Sequence, residues 1–577
     1  MSEPSIEKKQ SRVEVDTISS FETYKGDYDP KDIELLAPAL EIKDKLFSLD
    51  NVREYFKKKG PDYYDQIATK RSVFEDPDPE ISKKYFPTSK WENFASFDPY
   101  FRWTRREDRE ATRKLDLKIL SIVCFLFFAL NVDRGNFGAA IAGGILKDLK
   151  LSTDDFNLGN NLRSIGFIIV EIPSQMVGKR FGPDWWMPLQ VVLWSFVTLF
   201  QFFLAGRKSY LALRFLLGIT QGGFIADSVQ YLSYYYTRDQ MAIRLTLFWS
   251  VLSISSIISN LMSIGLLSIN SNGKEGWRWL FLYEGLLTLV IGTASFFLMV
   301  PGPTQTKTKL FPNGYFTERE EKIIVNRLVR DDPSKSDMHN REAVTFKQFI
   351  QALSDYDTWP LLLVSLTFLL PQFPMSAYIN IILRGLGFSR NKTIFLNIPI
   401  DFFYAVTMIV ISFASEIFNE RAIICIIPQI WMLIPIAINY ARADSISAWG
   451  KYAILFVVLS APNVQGVLVS WVSRTSYSVR TRTVASPMSN IGIQLALIAA
   501  QNVYRKDDAP LYHRGNRALV GVCCMNIVLF AFCKFYYIAR NKYKRGKWEA
   551  MSNSEKQEYL SKHQDDGNKR LDYLFEH

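Results

Sequence analysis

Apolar and polar positions along this chain alternate in long blocks, not at every second or third residue. Runs of about twenty apolar residues, enough to cross the hydrocarbon core of a bilayer as a helix, recur from Leu117 onward. The pattern predicts spans at Leu117–Ala140, Phe156–Val177, Trp186–Leu204, Leu211–Tyr235, Leu245–Leu267 and Trp279–Val300. After a polar stretch, residues 301–357, it predicts Trp359–Leu383, Phe395–Ile417, Ala422–Tyr440, Ala448–Val472, Val484–Tyr504 and Ala518–Ile538. A soluble α-domain buries one or two such runs, not this many. The expectation is an all-α membrane protein of twelve transmembrane helices in two six-helix halves, residues 111–300 and 358–541. Residues 1–110 read as a largely disordered cytosolic tail, 301–357 as a cytosolic loop and 542–577 as a second cytosolic tail. Two halves around a midway site suit alternating access.

Composition narrows the picture. Of 577 residues, 48% are hydrophobic and 22% charged, and the charges crowd into the tails and the central loop. A net charge of +11 hints at nucleic acid, but the basic residues flank spans. Arg105, Arg106, Arg109, Arg113, Lys114 and Lys118 precede the first span, and Arg540, Lys542, Lys544, Arg545 and Lys547 follow the last. That asymmetry places both tails in the cytosol and sets nucleic acid aside. The five cysteines sit in apolar runs and the four histidines are scattered, so neither metal nor cofactor is expected. The absence of a nucleophile, metal or phosphate-loop motif sets an enzyme aside. The N-terminus is polar, without a cleavable leader pattern. Asn391-Lys392-Thr393 is a glycosylation sequon, in the outer loop after the seventh span of this topology.

An ionisable group in the hydrocarbon region costs at least about 2.5 kcal/mol and is a functional candidate by default. The first span carries Asp133 and Arg134, the second Arg163 and Glu171, the fourth Arg214 and Asp227. Asp133 and Arg163 lie at depths that agree within a turn. Either Arg163 reaches Asp133, or Arg134 and Arg163 face one cavity. Guanidinium groups fork onto carboxylate or sulfonate oxygens, so Arg134 and Arg163 are candidates to hold an anion. Asp133 then binds a proton or holds an arginine. The alternative is an ion-pair network that ties helices together, the expected role of Arg214 and Glu171. In the second half Gln372, Tyr378, Asn380, Asp401, Tyr404, Asn463, Gln465, Asn490 and Gln494 are the polar positions. Of these Tyr378, Asn380, Asn463 and Asn490 are substrate candidates, with inter-helix hydrogen bonding as the commoner role. Charge chemistry is expected mainly in the first half. Pro371 and Pro374 should break the seventh helix and free carbonyls toward a cavity.

Several strings share one source: LNVDRGNFGAA, EIPSQMVGKRFGP, RFLLGITQGGFIADSVQYLSYYYTRDQMAIR, GWRWLFLYEG, FTEREEKIIVNRLVRDD and DDAPLYHRGN. In this order, across Lys114–Arg545, they resemble the major facilitator superfamily and, within it, fungal anion:cation symporters related to allantoate permease. GGFIAD before YLSYYY resembles the yeast thiamine-regulated carboxylate and sulfonate transporter group. The resemblance implies a small organic anion such as allantoate, nicotinate, pantothenate, biotin or a sulfonate. It assigns the anion contact to Arg134 and proton coupling to Asp133. Where the family often has a glutamate after Arg-Phe-x-x-Gly this chain has Gln221, which cannot titrate and remains a substrate-contact candidate. Asp227, six residues on, is a candidate to compensate, although turned away from the face of Gln221. GKRFGP lacks the aspartate of the usual gating motif, leaving Arg180, with Arg238, as gate or structural candidates.

The expected function is proton-coupled uptake of a small organic anion across the plasma membrane by a monomer, its partners being substrate, protons and bilayer. The rivals are an uncoupled carrier or exporter in an internal membrane, and a transporter-like nutrient sensor.

Overall fold

The computed structural model describes residues 60–69, 74, 86–89, 91–269, 271, 273–308, 310–331, 336, 354–476, 479–509, 511–552, 555–556, 558–559 and 568–577; the side chains of 238, 239, 242, 479–484, 486 and 506 lie outside that description.

In lipid every backbone N–H and C=O must pair within its own segment, and the apolar runs accordingly fold as helices. The first half holds α1 (Arg105–Leu115), α2 (Ser121–Ala142), α3 (Thr153–Phe181), α4 (Pro183–Phe200), α5 (Arg207–Gln221), α6 (Phe224–Ser233), α7 (Arg238–Leu266) and α8 (Gly276–Leu298). The central loop holds α9 (Glu318–Asp331). The second half holds α10 (Trp359–Ser365), α11 (Phe373–Gly385), α12 (Arg390–Phe418), α13 (Ala422–Arg442), α14 (Ala448–Leu459), α15 (Gln465–Thr475), α16 (Val479–Gln501) and α17 (His513–Glu549). Each expected span has a helix or a helix pair in its place. Among the described residues seven helices are long and apolar enough to cross a membrane.

Boundaries follow local chemistry. Ser152 and Asp155 form a reciprocal capping box that starts α3. Gly182, at φ 95°, ends α3, and Pro183 opens α4 with a backbone already set for a helix. Three expected spans are broken. Pro371 lies between α10 and α11, and Pro374 sits in the first turn of α11, where its missing N–H leaves no ladder bond unmade. Gly223, at φ +86°, separates α5 from α6, and a Cβ there would meet Ser174 Oγ at 2.3 Å. Residues 460–464 separate α14 from α15. Leu369, Gln372 and Phe373 of the break line a cavity between the halves, while two of the carbonyls before it are taken by side chains. Gln429 Nε2 donates to Phe368 O at 2.9 Å and Asn526 Nδ2 to Thr367 O at 3.0 Å. Buried carbonyls take side-chain amides where these are in reach.

The halves meet along two seams, α7 against α12 and α3 against α16. At the end far from the tails an aromatic cluster from both halves closes the interface. Phe156 meets Tyr378 at 6.1 Å, Tyr378 meets Tyr504 at 5.7 Å, and Tyr504 stacks on Tyr512 at 4.4 Å. Tyr378 Oη donates to Asn157 Oδ1 across the halves at 2.9 Å.

At the tail end, the end of the 1–110 tail is built into the fold. Trp91, Phe97 and Phe74 pack on Val325 and Val329 of α9. Arg330 donates to Pro99 O at 2.6 Å and Phe101 O at 3.0 Å. Residues 568–577 dock under the second half, where Glu576 pairs with Arg474 at 2.7 Å and Arg421 at 3.3 Å. α1 is tied to α9 by Lys114–Glu320 at 2.5 Å and Arg319–Glu107 at 2.6 Å.

Glu107 lies ahead of the first apolar run, and the Arg319 hydrogen bond lowers its carboxyl from 4.5 to about 2. A depressed carboxylate contributes stability above its unfolded value and loses it as pH falls through its folded value. The Glu107→Gln change in melting temperature is therefore expected to stay constant from about pH 8 to about pH 5. A change that grows across that window would contradict the pairing.

Candidate functional site

A cavity of about 440 Å³ lies between the halves. Its first-half wall presents Arg134 from α2, Arg163 from α3 and Arg214 from α5. Its second-half wall presents Asn380, Asn397, Asp401, Asn463, Asn490 and Gln494.

Small residues set the arginine wall. A Cβ on Gly218 would stand 2.1 Å from Arg163 O, and one on Gly166 would stand 2.7 Å from Phe215 O. Glycine at these points lets the α3 and α5 backbones touch, as small residues do at membrane helix interfaces. The contact brings Arg163 and Arg214 to one wall. Arg134 Nε donates to Gln221 Oε1 at 3.3 Å, and its guanidinium lies 5.4 Å from the Phe167 ring centroid. Arg214 Nη2 donates to Asn160 Oδ1, and its guanidinium lies 4.6 Å from the Phe137 ring centroid. Arg134 Nη2, Arg163 Nε and Arg214 Nε have no hydrogen-bond partner. Among the described residues no carboxylate forms an ion pair with any of the three. Glu171 acts on Arg134 from beyond ion-pair distance and Asp401 lies on the opposite wall, so three cations face fewer acids than would balance them; an entering anion offsets that cost while satisfying the free N–H groups.

The structure separates the candidates named from the sequence. Arg134, Arg163, Asn380, Asn463 and Asn490 line the cavity, and so does Arg214, expected only to be structural. Asn380 also bridges the halves, donating to Gly138 O at 2.9 Å. Asn463 donates to Tyr404 Oη at 2.7 Å. Gln221 is fully buried behind Arg134 and positions it from outside the cavity. Tyr378 belongs to the aromatic closure. Asp133 does not reach Arg163. It is 0% exposed, faces Trp194, Thr198 and Thr288 of α4 and α8, and neither carboxylate oxygen has a hydrogen-bond partner.

Asp227 also lies off the cavity, in a cage where Gln175 donates at 2.6 Å, Ser174 at 3.2 Å and Gln190 at 3.4 Å. Those contacts tie α3, α4 and α6 together. Glu171 accepts from Gly223 N and from Asn490 Nδ2, each at 2.9 Å, and so joins the α5–α6 break to α16. Arg180 is exposed at the end of α3. The side chain of Arg238 lies outside the described residues.

Asp401, one polar position among many in the sequence, is a carboxylate on the cavity wall. It accepts from Ser256 at 2.6 Å and Asn260 at 3.1 Å across the α7–α12 seam. Its signal was visible, as an acid within the run Phe395–Ile417. Glu284 of α8 was missed altogether, although it too is an acid inside an apolar run.

Comparison with known proteins agrees with this architecture. Residues 123–500 match the Major Facilitator Superfamily. The chain is 40% identical over 498 residues to the uncharacterized transporter YIL166C of Saccharomyces cerevisiae, covering 86% of this chain and 92% of that one. It is 28% identical over 431 residues to the major facilitator-type transporter hxnP of Emericella nidulans, covering 73% and 83%. Among solved structures it resembles the E. coli xylose transporter XylE in a partially occluded inward-open conformation, at TM-score 0.55 and 14% identity over 72% of this chain and 96% of that one. The helical halves, the cavity between them and the match over most of the membrane region converge on one conclusion: the chain is a membrane transporter of the Major Facilitator Superfamily.

Proposed function

We propose that this protein carries a small organic anion, a carboxylate or sulfonate, into the cell together with protons, by alternating access through twelve spans with both tails in the cytosol. The observation that carries this reading is the wall of three arginines with free N–H groups and no acidic partner. A neutral sugar-like cargo needs hydrogen bonds there, not three cations without an ion-pair partner. The strings quoted above support the finer placement among fungal anion:cation symporters related to allantoate permease.

In this structure the far end is closed by the Phe156–Tyr378–Tyr504 cluster. Rocking of the halves along the α7–α12 and α3–α16 seams breaks that closure, opening the far end and closing the tail end. Importing an anion against a negative-inside potential costs about 2.3 kcal/mol per charge per 100 mV, and a proton moving inward offsets it. Asp133, one residue from the anion-binding Arg134, takes that proton in this reading.

The test is uptake in proteoliposomes with an imposed pH gradient, across a panel of small carboxylates and sulfonates. An acidic exterior should drive accumulation of the transported anion, and equal uptake with and without the gradient would remove coupling. Asp133→Asn should keep anion binding but lose gradient-driven accumulation. Normal accumulation by that variant would refute the role given to Asp133.

A further inference from the structure

We infer that Asp133 and Glu284 form one proton-binding site inside the first half, back to back with the anion site, whose protonation state tunes the hold of Arg134 on the anion. The inference rests on the proton-coupled reading and names the pair of groups that would serve it.

The site is built by four helices. On α2, Asp133 and Asn136 are three residues apart and share a face. On α8, Glu284 and Thr288 are four apart and share a face. Glu284 is 0% exposed on α8, which packs along α2, and the Ser259 hydroxyl at its carboxyl lies 4.0 Å from where a Cβ on Gly135 of α2 would stand. Glu284 Oε1 accepts from Ser259 Oγ of α7 at 2.8 Å, and its Oε2 has no partner. Asn136, 0% exposed beside Glu284, has both amide atoms unpartnered. From α4, Trp194 Nε1 and Thr198 Oγ1 face Asp133 and are unpartnered as well. The groups facing the pair are therefore Ser259 from α7, Thr288 from α8, Trp194 and Thr198 from α4, and Asn136 from α2. Among the described residues no cation faces it.

Two carboxyls in such a place do not both stay ionised, because no cation among the described residues faces them and Arg134 points away. One proton on the pair removes the repulsion and supplies an O–H donor. The unpartnered amide, indole and hydroxyl groups give each protonation state hydrogen bonds to choose from. None of these groups belongs to the cavity wall.

The link to the anion is the helix itself. Arg134 follows Asp133 on α2 and points about 100° away, into the cavity. When the pair loses its proton, negative charge lies close behind Arg134 and weakens its pull on an anion. When the pair is protonated, that opposing charge is gone, and Glu171 of α3, which also lies within range of the guanidinium, is left to act on it. By thermodynamic reciprocity the anion then favours the proton by the same factor. This arrangement gives Gln221 its place: the amide holds Arg134 from α5, and the proton sits on the other side of α2.

The experiment needs no cargo. Infrared difference spectra of the full-length protein in lipid, titrated from acid to alkaline pH, report the C=O stretch of a protonated carboxyl. Wild type should show a titrating band that disappears or moves in Glu284→Gln and in Asp133→Asn but persists in Asp401→Asn. Arg134→Ala should shift its titration about one pH unit to the alkaline side, the tenfold linkage expected once the nearby positive charge is gone. Monodisperse elution of each variant checks folding. A band unchanged in Glu284→Gln overturns the site, and one unmoved in Arg134→Ala overturns the link. If both hold while a pH gradient drives no uptake, the transport reading fails and the site stands.

Discussion

Replacing Arg134 with alanine is expected to abolish anion uptake, by about a hundredfold or more, in a protein that still folds and reaches the membrane. The size follows from burial. Removing one partner of a buried, hydrogen-bonded charge pair costs about 2–5 kcal/mol, and each 1.4 kcal/mol is about tenfold in affinity. The fold survives because Arg134 ties few neighbours together. Its protein contacts are the Gln221 amide at 3.3 Å and the Phe167 ring at 5.4 Å. Its Nη2 is free, and Glu171, the acid within its range, keeps its own hydrogen bonds from Gly223 N and Asn490 Nδ2, so truncation breaks no ion pair. Arg134→Lys should recover only part of the activity, since an ammonium cannot fork onto two oxygens. Uptake per unit of surface-expressed protein measures both effects. Wild-type uptake by Arg134→Ala would mean that the arginine wall does not hold the cargo.

Gly218→Val is expected to do comparable damage for a different reason. The α3 backbone at Arg163 sits so close to Gly218 that a Cβ would fall 2.1 Å from the carbonyl oxygen and 3.0 Å from Arg163 Cα. The obstacle is backbone, which cannot swing aside as a side-chain tip does. The helices must separate, at a cost of about 3 kcal/mol for an overpacked contact. Arg163 then leaves the wall it shares with Arg214, so uptake should fall with the melting temperature. Gly521→Ala on α17 is the control: a Cβ there meets nothing within 4 Å, and stability should stay within about 0.5 kcal/mol. If Gly218→Val melts and transports like wild type, the close α3–α5 contact does not set the site.

How far the sequence could be read follows from what lipid demands. Helices were legible because a bilayer forbids unpaired backbone, so length and apolarity sufficed. Arg134 and Arg163 were legible as candidates because a cation there is costly, whereas Arg214 read as structural. What spacing could not supply was direction around the helix axis. Asp133 and Arg134 share a depth, but one turns into the bundle and the other into the cavity. Gln221 and Tyr378 lie off the cavity for the same reason, one behind Arg134 and one in the closure. Proline marked the break before α11, whereas the break at Gly223 depends on a left-handed backbone that residue type only permits. Glu284 was passed over inside a family string, although an acid in an apolar run is the signal that singled out Asp133.

The central claim, that three guanidinium groups wait for a negative charge, is tested most directly by ligand stabilisation of the purified protein. Small carboxylates and sulfonates are to be compared with their neutral amide counterparts, on wild type and on Arg134→Ala. Only anions should raise the melting temperature of wild type, and Arg134→Ala should lose the rise. Stabilisation by a neutral counterpart, undiminished in Arg134→Ala, would contradict it.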